Sequence, residues 1–331
     1  MKRNSKVRPL PKPLNKQGEW MGYGLLLYLA IMFLCVFVGM VYDSIRILMP
    51  YITSGSSFTM DKEIEQKLVT EVISKGTSSI VAVILGVIVL SFLFRNVQSF
   101  QDIWQKRRKM KAGNFVQILC VFMGVQLIFS FFSLLLTWGL GALGYHGMEQ
   151  LEEIAQANSS TLSMFLYVGI IGPITEEIVY RGFILQGLSR FGKWFAIVVS
   201  SVLFGLMHGN LLQIPFALVV GLVLGYVAIE YSIYWSIALH MINNCIFGDV
   251  WNYLFSGVSE NVQTIITYAR DGIFFVAALV ILFSQRKKIM NYRAQSKGSK
   301  QMYKQFFFTS GTILFVLFCL AETVFLFVSM A

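Results

Sequence analysis

Long apolar segments dominate the chain, and they limit the folds that it can adopt. Nine of them are long enough to cross the roughly 30 Å core of a bilayer at 1.5 Å per residue, some with tilt. They cover residues of about 21–42, 77–94, 114–138, 161–188, 194–211, 213–231, 233–255, 271–284 and 306–330. Only 13% of the residues are charged, about half the share in soluble domains. The sequence therefore predicts an all-α, polytopic transmembrane bundle of about nine spans.

Basic residues alternate between the two ends of these spans. Six lysines and arginines precede the first span, and further basic clusters follow the second, fourth and eighth spans. Residues 139–160 contain no lysine or arginine but hold Glu149, Glu152 and Glu153. Because cytoplasmic loops carry the excess of positive charge, we expect the N-terminus inside and the C-terminus outside. The net charge of +10 then reflects topology, and no nucleic-acid partner is predicted.

The spans divide the chain into four parts. These are a basic cytoplasmic tail at 1–20, three spans at 21–150, a four-span core at 160–255 and two spans at 271–331. The first apolar run is too long for a signal peptide and lacks a small-residue cleavage site, so we interpret it as a retained span. Without organellar targeting, the expected location is a bacterial plasma membrane, with multiple crossings.

Three ionisable residues lie within six positions of the fourth span: Glu176, Glu177 and Arg181. Each costs roughly 2.5–3.5 kcal/mol at the centre of a bilayer on insertion scales. Glu177 and Arg181 are four residues apart and share a helix face, so they are expected to form an ion pair. Glu176 lies about 140° from Arg181 around the helix and remains available as a general base. The alternative is that all three form a buried polar contact between helices.

Two later spans carry the other candidate residues. His208 follows Phe204 by one turn on the fifth span, and His240 and Asn244 share a face of the seventh. A pair of donors such as His240 and Asn244 can stabilise an oxyanion, although hydrogen bonds between helices explain such residues equally well. At 1.5 Å per residue, Glu176, His208 and His240 lie about 18, 21 and 11 Å from the cytoplasmic side. These depths allow one shared cavity.

A carboxylate, an imidazole and two donors around one cavity suit hydrolysis by activated water. Zinc is the second possibility, since two histidines and a glutamate can hold it, but no HExxH motif occurs. The four cysteines are widely spaced and predict no thiolate site. We therefore expect no cofactor. Two other carboxylates in spans, Asp249 and Glu322, are interpreted as rim or packing residues.

Three motifs resemble those of a known family. Glu-Glu-x-x-x-Arg at 176–181, Phe-x-x-x-His at 204–208 and His-x-x-x-Asn at 240–244 resemble the motifs of type II CAAX prenyl endopeptidases. These belong to the CAAX-protease and bacteriocin-processing (CPBP or Abi) group of intramembrane peptidases. The resemblance covers about 160–255, and it is specific because the motifs occur in the family order on consecutive apolar segments.

The resemblance implies a role for each motif residue. Glu176 would be the base that activates water and His208 its helper, while His240 and Asn244 would stabilise the oxyanion. The supporting residues would be Glu177, Arg181 and Phe204.

The implied activity is intramembrane endopeptidase cleavage of a membrane-associated peptide, of the prenylated, pheromone or bacteriocin type. One alternative is a non-enzymatic immunity or scaffold protein of the membrane. Another is a transporter or channel that relays protons, against which the odd number of spans and the absence of inverted repeats argue.

Overall fold

A computed structural model describes residues 13–53, 62–68, 71–72, 75–94, 103–145, 159 and 161–329. The regular structure of these residues is helical throughout, which confirms the predicted all-α class. The helices are α1 (Leu14–Thr53), α2 (Lys62–Leu68), α3 (Thr77–Phe94), α4 (Ala112–Gly141), α5 (Leu162–Phe191), α6 (Lys193–Leu206), α7 (Gln213–Glu230), α8 (233–255), α9 (Glu260–Ser296), α10 (Lys300–Phe307) and α11 (Ser310–Ser329). Most of the basic tail and the predicted acidic loop with its three glutamates lie outside the described residues.

Seven of the described helices are long and apolar enough to cross a membrane: α1, α3, α4, α5, α7, α9 and α11. The other two predicted spans are also helical. However, α6 has only 14 residues, and α8 carries several polar side chains between its apolar ones. The prediction of about nine spans thus corresponds to seven full-length helices and two helices that carry part of the candidate site.

Two predicted spans are much shorter than the helices that contain them. The first helix begins at Leu14, within the predicted tail, and continues to Thr53. The eighth predicted span, 271–284, is the centre of the 37-residue helix α9. The predicted start is too late because residues 260–270 contain several polar side chains and end in Arg270. In the structure Arg270 pairs with Asp271 at 2.8 Å.

Most of the helices pack around one large buried apolar cluster. It includes residues of α1, α3, α4, α5, α6, α7, α8, α10 and α11. Large apolar side chains on the outer faces of the helices remain exposed, for example Phe37 at 63% and Phe325 at 74%. In a soluble protein such a surface would be a large contact site or an aggregation hazard, but it is the expected surface of helices that face lipid.

The first and last described helices cross at two glycines. A Cβ atom added to Gly22 would lie 2.1 Å from the carbonyl carbon of Gly311, and one added to Gly311 would lie 2.2 Å from the carbonyl oxygen of Glu19. Only residues without a side chain permit this backbone approach. The crossing holds α1 and α11 together, and both helices contribute to the cavity described below.

We expect Gly22→Ala to lower the free energy of unfolding by about 1–3 kcal/mol, because the added methyl group forces the two backbones apart. Gly139→Ala is the matched control, since an added Cβ there meets nothing within 4 Å. Thermal unfolding of the purified proteins in detergent micelles measures both. Equal stability of the two variants would contradict the close crossing.

Candidate active site

The helix that carries the adjacent glutamates has an irregular hydrogen-bonding pattern. Tyr167–Ile171 and Ile178–Leu185 are π-helical, and Gly172–Glu177 between them is α-helical. Pro173 has no N–H to donate to the preceding turn. π-helical segments in α-helices occur frequently at functional sites, where they change the direction of a side chain. Glu176 and Glu177 both belong to the short α-helical segment between the two π-helical ones.

Glu177 is fully buried and bound on several sides. Its Oε2 lies 3.4 Å from Nε of Arg181, and both side chains have no exposed surface. This confirms the predicted ion pair. Ser236 also donates its hydroxyl to Oε2, and Nδ1 of His240 lies 3.1 Å from Oε1. Glu177 therefore connects α5 to two residues of α8 that the motif spacing did not link to it.

Phe204 lies between the ion pair and the two histidines. The guanidinium carbon of Arg181 is 4.2 Å from the centre of the Phe204 ring, a distance at which a cation is attracted to an aromatic face. The same ring makes edge contacts with His208 at 4.9 Å and His240 at 5.9 Å between centroids. The predicted position of Phe204 beside the site is thus correct, and the ring separates the buried arginine from both imidazoles.

The orientation of His240 follows from its contact with Glu177. A carboxylate only accepts hydrogen bonds, so Nδ1 of His240 carries a hydrogen and donates it. The other ring nitrogen, Nε2, then points towards Glu176, whose Oε2 is 3.8 Å away. The side chain of Glu176 is 21% exposed. Glu177 therefore positions the imidazole between the two carboxylates.

His208 lies beyond the helix on which it was predicted. Helix α6 ends at Leu206, and His208 occupies the turn that follows, before Gly209 with a φ of +57°. Its Nδ1 lies 2.8 Å from the carbonyl oxygen of Phe204, so Nδ1–H donates and Nε2 remains available. A 14-residue helix is about 21 Å long, less than the hydrocarbon core. Such a break is tolerated in a membrane where the turn lines a cavity.

Three side-chain amides form a continuous chain of hydrogen bonds. Gln126 of α4 donates to Asn243 at 2.8 Å, Asn243 donates to Asn244 at 2.8 Å, and Asn244 donates to the carbonyl of Val168 at 3.0 Å. Gln126 and Asn243 lie outside the sequence motifs and were not predicted as site residues. Their signal was an uncharged polar side chain within an apolar span. The chain fixes the direction in which the Asn244 amide points.

All four predicted catalytic residues line one cavity of about 680 Å³: Glu176, His208, His240 and Asn244. Gln126 and Asn243 line it too, as do Phe33 of α1 and Phe129 of α4. The wall of the cavity therefore combines a polar cluster with apolar residues. Asp249 and Glu322, which the sequence suggested as rim or packing residues, also form part of its wall.

A protein metal site needs several donor side chains that converge on one ion. In the part of the chain that the structure describes, no group of three or more His, Cys, Asp or Glu side chains is arranged to hold one.

Comparisons with known proteins agree with the motifs. Residues 158–246 match the family model described as type II CAAX prenyl endopeptidase Rce1-like. A stretch of 146 residues, 42% of this chain, is 28% identical to the Bacillus subtilis protein named "Putative membrane peptidase YdiL". The chain spans 56% of the length of that relative. No solved structure matches the chain.

Proposed function

We propose that this chain, whose residues 158–246 match the family model of type II CAAX prenyl endopeptidases, is an intramembrane endopeptidase that uses Glu176 as its base. The supporting observation is the difference between the adjacent glutamates. Glu177 is buried and bound by Arg181, Ser236 and His240. Glu176 lines the cavity, and no hydrogen bond within the described residues uses its carboxylate. One glutamate is thus part of the structure, and the other is free to react.

The proposed reaction is addition of water to a peptide carbonyl. Glu176 removes a proton from a water molecule as the oxygen bonds to the carbonyl carbon, and Nε2 of His208 accepts the other hydrogen of that water in a hydrogen bond. The oxyanion accepts hydrogen bonds from the side-chain amide of Asn244 and from the imidazole of His240. The C–N bond then breaks, and Glu176 returns its proton to the leaving amine.

The substrate we propose is a membrane-associated peptide, of the prenylated, pheromone or bacteriocin type, processed in a bacterial plasma membrane. The apolar residues in the cavity wall suit such a chain, because a peptide from the bilayer can keep apolar side chains out of water there. The amide chain and Glu176 provide polar contacts for a peptide backbone.

The test compares membrane and secreted peptides of cells that produce the wild-type chain with those of cells that produce Glu176→Gln at the same level. The substitution removes the base but nearly preserves the shape of the side chain. We expect uncleaved precursors to accumulate in the variant cells. Identical peptide profiles, together with an unchanged cellular phenotype, would favour an immunity or scaffold protein and contradict the peptidase.

We predict that activity survives chelation. Purified protein treated with EDTA or 1,10-phenanthroline should retain its cleavage rate, because glutamate and histidine perform the acid–base steps. Elemental analysis of the same preparation should find no stoichiometric zinc. Loss of activity on chelation, restored by added zinc, would overturn the assignment of Glu176 as the base.

We expect Gln126→Leu to lower kcat about fivefold and to leave KM nearly unchanged. Leucine cannot donate to Asn243, so the Asn244 amide loses the orientation that a hydrogen bond worth about 1 kcal/mol provides. Steady-state kinetics in nanodiscs measures the two constants separately. Ser130→Ala, on the same helix and the same cavity wall, is the control. A rise in KM with unchanged kcat would instead place Gln126 in substrate binding.

A further inference from the structure

Arg270 is the only lysine or arginine that lines the catalytic cavity within the described part of the chain. The proposed reaction does not use it. The other charged residues of the wall, apart from the histidines, are Glu176, Asp249, Asp271 and Glu322. A single cation in an otherwise acidic cavity is a specific position for a negatively charged group.

The guanidinium of Arg270 is held in place. Its Nε donates to Asp271 at 2.8 Å, and its Nη1 donates to the carbonyl of Phe247 at 3.1 Å. Its central carbon lies 4.4 Å from the centre of the Trp251 ring, and the indole N–H of Trp251 is in turn bonded to Thr267. These contacts leave Nη2 without a hydrogen-bond partner among the described residues.

An arginine within a membrane helix is costly and is usually functional when it faces a cavity. Asp271, which is 2% exposed, compensates its charge but occupies only part of its donor set. Guanidinium has five N–H donors in a planar fork, which can bind a second carboxylate while it retains the first. Because the group is already ordered, a ligand would not have to pay for its immobilisation.

The distance from the catalytic centre can be estimated along α8. Phe247, to which Arg270 is bonded, follows His240 by seven residues, or roughly 10 Å at 1.5 Å per residue. An extended peptide advances about 3.3 Å per residue. A carboxylate bound to Arg270 would therefore lie about three residues from the bond at the catalytic centre.

We propose that Arg270 forms a subsite for a carboxylate of the peptide substrate, supplied either by its chain terminus or by an aspartate or glutamate side chain. This inference rests on the proposed function, because it assumes that a peptide occupies the cavity. The carboxylates elsewhere in the wall repel the same group, so the single cation also determines the direction in which the peptide lies. The subsite belongs to α9, outside the segment that matches the family.

The test measures binding, so that it does not depend on cleavage. The full chain with Glu176→Gln, in nanodiscs, is incubated with synthetic apolar decapeptides that end in a free carboxylate, in an amide, or in an amide with one internal glutamate at varied positions. Bound peptides are identified by mass spectrometry. We expect about tenfold preference for one carboxylate-bearing class over the plain amides, as a charged hydrogen bond provides. The preferred class identifies the source of the carboxylate.

Arg270→Gln should abolish this preference. Arg270→Lys, which keeps the charge but not the planar fork, should retain part of it. Arg286→Gln is the matched control, because this arginine lies on the same helix but away from the cavity. If the Arg270→Gln protein does not fold, the double variant Arg270→Gln/Asp271→Asn, which removes both charges, is used in its place.

Three results would overturn the subsite. The Glu176→Gln protein with Arg270 intact could bind amides and carboxylates equally or bind no peptide, or Arg270→Gln could keep the same preference. Cleavage of the library by the wild-type chain is measured in parallel. Cleavage without a carboxylate preference would refute the subsite and leave the peptidase proposal intact. Preference in binding without any cleavage would support the subsite and contradict hydrolysis.

Discussion

Glu176→Gln is expected to lower kcat for peptide hydrolysis by about 10²–10⁴-fold, which is the usual contribution of a general base. Glutamine has nearly the same shape but cannot take a proton from water. The side chain makes no hydrogen bond within the described residues and lies 3.8 Å from His240, so its replacement should not disturb the fold. Kinetics and thermal unfolding of the purified protein in nanodiscs measure the two effects separately.

The control for this prediction is Glu322→Gln, which removes a carboxylate from the same cavity wall. Glu322 lies on α11 and contacts neither imidazole in the structure, so its variant should keep a rate within a few-fold of the wild type. Similar losses of kcat in both variants would indicate that the charge of the cavity matters and not the position of a base. A fully active Glu176→Gln protein would contradict the mechanism.

Arg181→Met is expected to lower the free energy of unfolding by about 3–5 kcal/mol, because it leaves the charge of Glu177 buried without its cation. Ser236 and His240 still donate to that carboxylate, but hydrogen bonds do not replace a full opposite charge. Methionine fills much of the space beside the Phe204 ring, so a cavity is not the main cause of the loss. Equilibrium unfolding in mixed micelles measures the change.

The double variant Glu177→Gln/Arg181→Met should recover part of the lost stability, since no buried charge remains. Its activity should nevertheless stay low, because a neutral amide at position 177 no longer imposes one orientation on His240. Equal instability of the single and double variants would show that packing of the arginine, and not its charge, stabilises the helices. The pair of variants thus separates electrostatics from volume.

The sequence predicted those features of the site that lie within one helix. The separation of four residues between Glu177 and Arg181 was sufficient for the ion pair, because helical geometry fixes their relative positions. The motifs also identified the residues that meet at the cavity. What they could not show was which residues of α8 contact α5, since contacts between helices depend on packing. Thus the bonds from Ser236 and His240 to Glu177 were not predicted.

Other differences between prediction and structure concern helix ends, because the spans were predicted from hydropathy. His208 was assigned to a span because apolar residues continue past Leu206, whereas the backbone turns there and passes through Gly209. In α9 the predicted start was too late, because Arg270 and the polar residues before it do not resemble a membrane span. The helix nevertheless begins at Glu260. In both cases the polar residue lines the cavity. A polar residue near the end of a predicted span, such as His208 or Arg270, was thus a sign of the cavity.

The contribution of α11 to the cavity affects the order of events during synthesis. Glu322 on this helix is part of the wall, and α11 is held against α1 by the glycine crossing. Ser310 follows Asn244 by 66 residues, which a ribosome translates in about 3–13 s. Throughout that interval every proposed catalytic side chain has been synthesised, but the part of the cavity wall that α11 contributes is missing. The proposed active site would thus remain incomplete until α11 enters the membrane.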